Sequence, residues 1–216
     1  MTDRWSRLAP LTGVLFGIIV VVAIVTGGGE TPDANARPAR VIAYYGTHRS
    51  EVEMSAILFA LAFLVLLLFA GVLRSYLRRT PAAEGLGSLA LAGAVLMAAG
   101  ALIGTGVEYG LAHQLHHLGP EVAQTLNFLD NELFLPVLAG AFVFGISSGL
   151  AILRGAALPK WLGWVAIVLG VVALIPPTGF FALLGFVIWT VIASILMYRR
   201  TGSPAEASAG VPQPTP

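Results

Sequence analysis

Six uninterrupted apolar runs constrain this chain more than any other feature. Leu8–Thr26, Met54–Leu73, Leu86–Val107, Leu133–Leu153, Trp161–Ile175 and Thr178–Tyr198 contain no Asp, Glu, Lys, Arg or His. About 20 apolar residues wound into an α-helix cross the roughly 30 Å hydrocarbon core of a bilayer, and a helix satisfies its own backbone hydrogen bonds there. The expected fold class is therefore all-α, a polytopic membrane helix bundle of six transmembrane helices. Composition agrees: 57% of the 216 residues are hydrophobic and 11% charged, against about 25% charged in soluble domains. Little chain is left for loops, so residues 1–200 are expected to form one transmembrane domain. Residues 201–216, rich in Pro, Ala, Ser and Gly, are expected to form a disordered cytoplasmic tail. The fifth run, 15 residues long, ends at Pro176-Pro177, which removes two backbone donors and forces an extended step, so a tight turn between two spans is expected.

The basic residues orient the ladder. With the N-terminus in the cytoplasm, Arg4, Arg7, Arg74, Arg78, Arg79, Arg154, Lys160, Arg199 and Arg200 lie inside and only Arg37, Arg40 and Arg49 lie outside. Nine against three follows the positive-inside rule, so both termini are expected in the cytoplasm of a cell whose plasma (inner) membrane holds the chain. Trp5, Tyr76, Trp161, Trp164 and Tyr198 then mark the inner boundary, and Tyr44, Tyr45 and Tyr109 the outer one. Arg4 and Arg7 before the first run and Gly27-Gly28-Gly29 after it imitate a secretory signal, but the run is too long for a signal core and is expected to stay as an uncleaved anchor. Basic residues used as topogenic signals form no continuous patch, and the net charge is only +1, which excludes nucleic acid as a partner class. The expected partners are the lipid bilayer and either a helix-packing protein or a second copy of the chain. The absence of Cys removes disulfides, thiolate nucleophiles, iron–sulfur ligation and covalent haem attachment.

Two outer segments hold most of the remaining polar residues. In the first, Val41, Tyr44, Tyr45 and His48 recur at helical spacing opposite Arg37 and Arg40, which predicts a short helix near Arg37–His48 lying in the headgroup region. The second, 108–132, has no Lys or Arg but holds three of the four histidines, and a helix near Ala112–Phe128 is expected there. The stretches Thr31-Pro-Asp-Ala-Asn35, Val41-Ile-Ala-Tyr-Tyr-Gly-Thr-His-Arg49, Leu126-Asn-Phe-Leu-Asp130 and Leu158-Pro-Lys-Trp-Leu-Gly-Trp164 resemble those of a family of uncharacterised multi-pass membrane proteins common in actinobacteria. The likeness spans roughly residues 8–200. It implies a six-span bundle in an actinobacterial inner membrane and lends no catalytic residue.

His113-Gln-Leu-His116-His117 is the sharpest chemical motif. On one helix, His113 and His117 would project from a single face one turn apart, the spacing at which two imidazoles share a metal, with Glu121 as a third ligand one turn further. A single metal ion or a haem is the cofactor such a site would take, with His48 and Asp130 as further ligands across the outer face. A di-iron centre with several histidine boxes is excluded, because the chain has only four histidines. The competing reading is an amphipathic outer helix whose histidines face water, and no cofactor is expected. Gly145-Ile-Ser147-Ser148-Gly149 has the form of a nucleophile elbow, but Ser147 lies roughly 20 Å below the outer surface, away from every histidine, and has no base. Its glycines are expected to form a helix contact, as are Gly13/Gly17, Gly100/Gly104 and Gly106/Gly110. Glu51, Glu53, Glu108, Asp130 and Glu132 fall near outer span ends. There Asp130 and Glu132 are expected to complement the N-terminus of the fourth span, the alternative being an acidic ring that attracts a cation.

With no ionisable group inside a run, a proton-driven carrier is disfavoured. The expected function is that of an integral membrane protein without its own catalysis, an accessory, scaffold or lipid-binding component. Two alternatives stand beside it: a metal-dependent or haem-binding membrane enzyme using the outer histidines, and a facilitator for an uncharged or lipidic solute lined by Thr105, Ser147, Ser148 and Ser194.

Overall fold

The computed structural model describes residues 8–27, 29–78, 83–155, 157–175 and 178–201. Arg4, Trp5, Arg7, Gly28, Arg79, Pro176-Pro177 and the tail lie outside the described residues, as do the expectations placed on them. The described chain is all-α. A 3-10 turn, Ala9–Leu11, leads into α1 (Thr12–Thr26), followed by α2 (Pro38–Thr47), α3 (Arg49–Leu77), α4 (Glu84–Gln114), a second 3-10 turn (Leu115–His117), α5 (Pro120–Glu132), α6 (Phe134–Gly155), α7 (Lys160–Ala173) and α8 (Gly179–Thr201). Every apolar run is a helix. Five segments, Ala9–Thr26, Arg49–Leu77, Glu84–His117, Pro120–Gly155 and Gly179–Arg200, are long and apolar enough to cross a membrane, which makes this a multi-pass membrane protein. The fifth run, α7, is 14 residues, or about 21 Å, which is short of the hydrocarbon thickness.

The helices close a ring. α1 packs on α3, α3 on α4, α4 on α6, α6 on α7, α7 on α8, and α8 returns to α1. The outside of that ring is apolar: Leu15, Ile18, Val21 and Val25 on α1, Leu61, Leu64 and Leu68 on α3, and Trp161, Trp164 and Val168 on α7 are all exposed. In water such a surface would aggregate; in lipid it is solvated.

Close backbone approach holds the ring at its tightest seams. A Cβ added at Gly93 of α4 would stand 2.8 Å from Phe144 Cα and 3.0 Å from Gly140 O of α6. On the next seam, a Cβ at Gly145 would stand 2.6 Å from Ala166 O, and one at Gly149 2.5 Å from Gly163 O of α7. Missing side chains let these backbones meet, the device that replaces hydrophobic driving force between helices in lipid. Gly13 and Gly17 likewise take the side chains of Phe69, Ser194 and Val191. Gly106 and Gly110 have nothing within 4 Å, so the contact expected there does not form within the chain. The seam at Gly93/Gly140 was not read from spacing, because its two glycines lie on different helices. Hydroxyl and indole groups add cross-links: Ser55 Oγ donates to Ala23 O at 3.0 Å, Trp189 Nε1 donates to Leu162 O at 2.9 Å, and Ser194 Oγ donates to Pro10 O.

One end of the ring carries a cap with a small core of its own, in which Val41 and Tyr45 of α2, Val52 of α3, Leu111 and Ala112 of α4, Leu115 just after it, and Ala123 of α5 are buried together. Two expectations change here. The helix near Arg37–His48 forms, but Val41 and Tyr45, both fully buried, turn inward onto protein instead of into headgroups. The helix expected over Ala112–Phe128 is divided: Gly119 is extended (φ −68°, ψ 154°) because it precedes Pro120, and Pro120 opens α5 at its first position.

Candidate functional site

The ring does not close on its axis. Helices α1, α3, α4, α6 and α8 leave a cavity of about 270 Å³, small for a ligand pocket but within reach of that class. Its wall is apolar and largely aromatic, with Phe16 of α1, Phe63 of α3, Phe144 of α6 and Phe186 of α8 facing it. Ile24, Phe134 and Phe180 also line it and are 48%, 37% and 54% exposed on the outside of the bundle, so the cavity opens sideways between α1, α6 and α8. All three sit at the cap end of their helices.

Polar groups gather at that same end. Thr105 and Glu108 of α4 and Asp130 of α5 line the cavity. Asp130 Oδ1 lies 3.8 Å from the position of a Cβ at Gly104, and Glu108 follows Gly104 by one helical turn, so both carboxylates converge on one patch of α4. Among the described residues neither carboxylate has an ion pair or a hydrogen bond. Nor does either cap a helix. Asp130 and Glu132 occupy the last turn of α5, where the helix dipole disfavours negative charge, which corrects the N-terminal role expected of them. Glu51 does sit in the first turn of α3, where the dipole favours it.

Above the carboxylates the cap contributes two more unsatisfied oxygens. The Tyr45 hydroxyl is fully buried without a partner; burial, with Asp130 and Glu108 close by, pushes its ionisation well above the ordinary tyrosine value. Asn127, fully buried, donates Nδ2 to Asp33 O at 3.0 Å, which orients the amide and leaves Oδ1 without a donor. Asn127 precedes Asp130 by three residues and so shares its helix face.

The histidines stand elsewhere. His113 lies in the last turn of α4, His117 in the 3-10 turn and Glu121 in the first turn of α5, so the one-face spacing that would unite them is broken by the change of helix at Leu115 and again at Gly119-Pro120. Among the described residues no three His, Cys, Asp or Glu side chains are grouped to hold a metal ion. His113 stacks on Tyr109 (centroids 5.4 Å apart, 11° between planes), and its Nδ1 lies 3.1 Å from Glu53 Oε1 and 3.3 Å from Arg49 Nη2. Arg49 Nε donates to the same Glu53 oxygen at 2.8 Å. This is an exposed polar cluster that ties α3 to α4. His48 Nδ1 sits 3.1 Å from Tyr44 O within α2 and the start of α3. Ser148 Oγ donates to Phe144 O at 2.6 Å on its own helix. Of the four hydroxyl residues considered for a solute path, Thr105 lines the cavity; Ser194 is committed to Pro10 and Ser148 to α6.

Glu108 and Asp130 do not take the capping role expected of them, and of the outer carboxylates considered for an acidic ring these two come together. The one available signal was a carboxylate at each end of a segment without Lys or Arg, and it did not say which carboxylates face each other. The chain matches no family model, no curated protein and no solved structure.

Proposed function

We propose that this chain is a non-catalytic lipid-binding protein of the actinobacterial plasma membrane, an accessory component whose bundle receives an apolar molecule from the surrounding leaflet. The observation that carries the reading is the aromatic cavity with a lateral mouth at Ile24, Phe134 and Phe180. A protein that only packed against partners would have no reason to leave that volume unfilled, since empty apolar space costs contacts. Six spans with both termini cytoplasmic belong to this proposal: α7, shorter than the hydrocarbon core, crosses where the bilayer thins around it, and the cap then stands outside. The actinobacterial setting rests on the motif resemblance.

The test is native mass spectrometry of protein released in a neutral mild detergent, beside Gly104→Leu. A Cβ at Gly104 meets only Asp130 and Leu133 at 3.8–3.9 Å, so the leucine branches enter the cavity without breaking a seam. One apolar-chain molecule retained per wild-type chain and lost in the variant is the expected result. Equal retention in both proteins would remove the cavity from the function.

A further inference from the structure

At its cap end the cavity is lined by two carboxylates from two helices, and two further unpaired polar oxygens lie in the cap core beside it. Glu108 and Asp130 line it as half-buried carboxylates without an ion pair among the described residues. The Tyr45 hydroxyl, in the same buried cluster as Leu111, Ala112 and Ala123, lies about one turn outward from Glu108 on α4 and Asn127 on α5, and among the described residues it has no hydrogen-bond partner. Asn127 Oδ1 is likewise orphaned, with its amide direction already set by Asp33. On the cap, Arg49 is held by Glu53, and among the described residues neither Glu108 nor Asp130 forms an ion pair with any Arg, Lys or His.

Buried polar oxygens are ordinarily satisfied, and charges removed from water are ordinarily paired. The two carboxylates on the cavity wall lack the same thing, a cation that carries N–H donors to both, and the amide and phenol oxygens of the neighbouring cap core supply no cation. Below them the wall is made of rings and aliphatic side chains with the hydroxyl residue Thr190 among them, which suits a chain or an apolar body.

Resting on the lipid-binding reading, we propose that the cavity binds an amphiphilic primary amine, its ammonium held between Glu108 and Asp130 and its apolar part among Phe16, Phe63, Phe144 and Phe186. A primary ammonium has three donors for these acceptors. A quaternary head has none, and a hydroxyl would supply one donor and no charge. The lateral mouth lies at the same end as the carboxylates, so an amphiphile resting in the leaflet enters with its head already at the correct depth.

The experiment measures tritiated dodecylamine binding to the full-length protein in neutral maltoside micelles, with dodecanol and dodecyltrimethylammonium as competitors and Glu108→Gln/Asp130→Asn and Gly104→Leu as variants. Saturable binding is expected, weakened at least about tenfold by the double substitution, the loss that follows when a charge-assisted hydrogen bond goes. Dodecanol and the quaternary amine should compete poorly. Lyso-phosphatidylethanolamine and unlabelled dodecylamine as further competitors separate a lipid headgroup from a free long-chain amine as the source of the ammonium. Melting curves of the double variant, which removes two unpaired charges, should not fall below wild type, so lost binding is not lost fold. Dodecanol competing as well as dodecylamine, with the double variant unaffected and Gly104→Leu inactive, would overturn the amine while leaving lipid binding in place. Binding that is indifferent to Gly104→Leu would overturn both.

Discussion

Tyr45 and Asn127 show how differently two buried oxygens weigh on one cap. The Tyr45 hydroxyl is satisfied by nothing, so Tyr45→Phe keeps the ring in the cap core and removes only a desolvated group. Thermal unfolding of that variant should match or exceed wild type. Its alkaline limb should also flatten: with the folded ionisation of Tyr45 raised above its ordinary value of 10.0, the unfolded chain gives up this proton first as pH climbs. The contribution of Tyr45 is therefore present below about pH 10 and lost as pH rises toward its folded value. Asn127 donates to Asp33 O, so Asn127→Leu removes that bond while Ala36 N–H still donates to the same carbonyl, and should cost about 0.5–1.5 kcal/mol in a chemical-denaturation comparison. His113, exposed on the rim, belongs to a different class. Substitution by Ala removes a stacked ring and one bond to Glu53 and should change stability by no more than about 0.5 kcal/mol. Elemental analysis of wild type beside His113→Ala/His117→Ala should find equal metal in both, since Glu53 and Arg49 occupy the imidazole. His113 and Asn127 are plain in the sequence, but their partners are not, because each bond joins segments 60 or more positions apart.

At the scale of elements, helical runs were legible and their junctions were not. An apolar run without charge has one stable form in lipid, so α1, α3, α4, α6, α7 and α8 follow from composition alone. The outer helices depend on what they meet. α2 has the alternating face of an interfacial helix, yet that face packs on α4 and α5, and Pro120 cuts the histidine segment in two. Glycine pairs teach the same lesson: Gly145/Gly149 and Gly106/Gly110 have identical spacing, but only the first meets a facing backbone. Gly149→Ala should therefore destabilise the bundle by about 2 kcal/mol or more through a clash with Gly163 O. Gly106→Ala, with open space around it, should be neutral or stabilising by up to about 1 kcal/mol from helix propensity. Unfolding in mixed micelles distinguishes the two.

At the scale of the whole molecule, the crossing of α7 decides the topology. The chain has no Cys, so single cysteines report their side of the membrane against an impermeant maleimide in intact cells. Gln114→Cys and Thr178→Cys should label from outside and Glu84→Cys should not. If α7 fails to cross, Thr178→Cys is protected and α8 runs the other way. The sequence by itself determined the solvent, the helical class and the positions of the apolar runs, because the cost of exposing backbone amides and charges to hydrocarbon is paid locally, residue by residue. The tertiary structure alone decided that the ring leaves a cavity, that Glu108 and Asp130 converge on one patch of its wall, and that the histidines do not converge. Those outcomes depend on how side chains from helices distant in sequence fill a shared volume, and no pattern along one helix encodes the volume its neighbours leave.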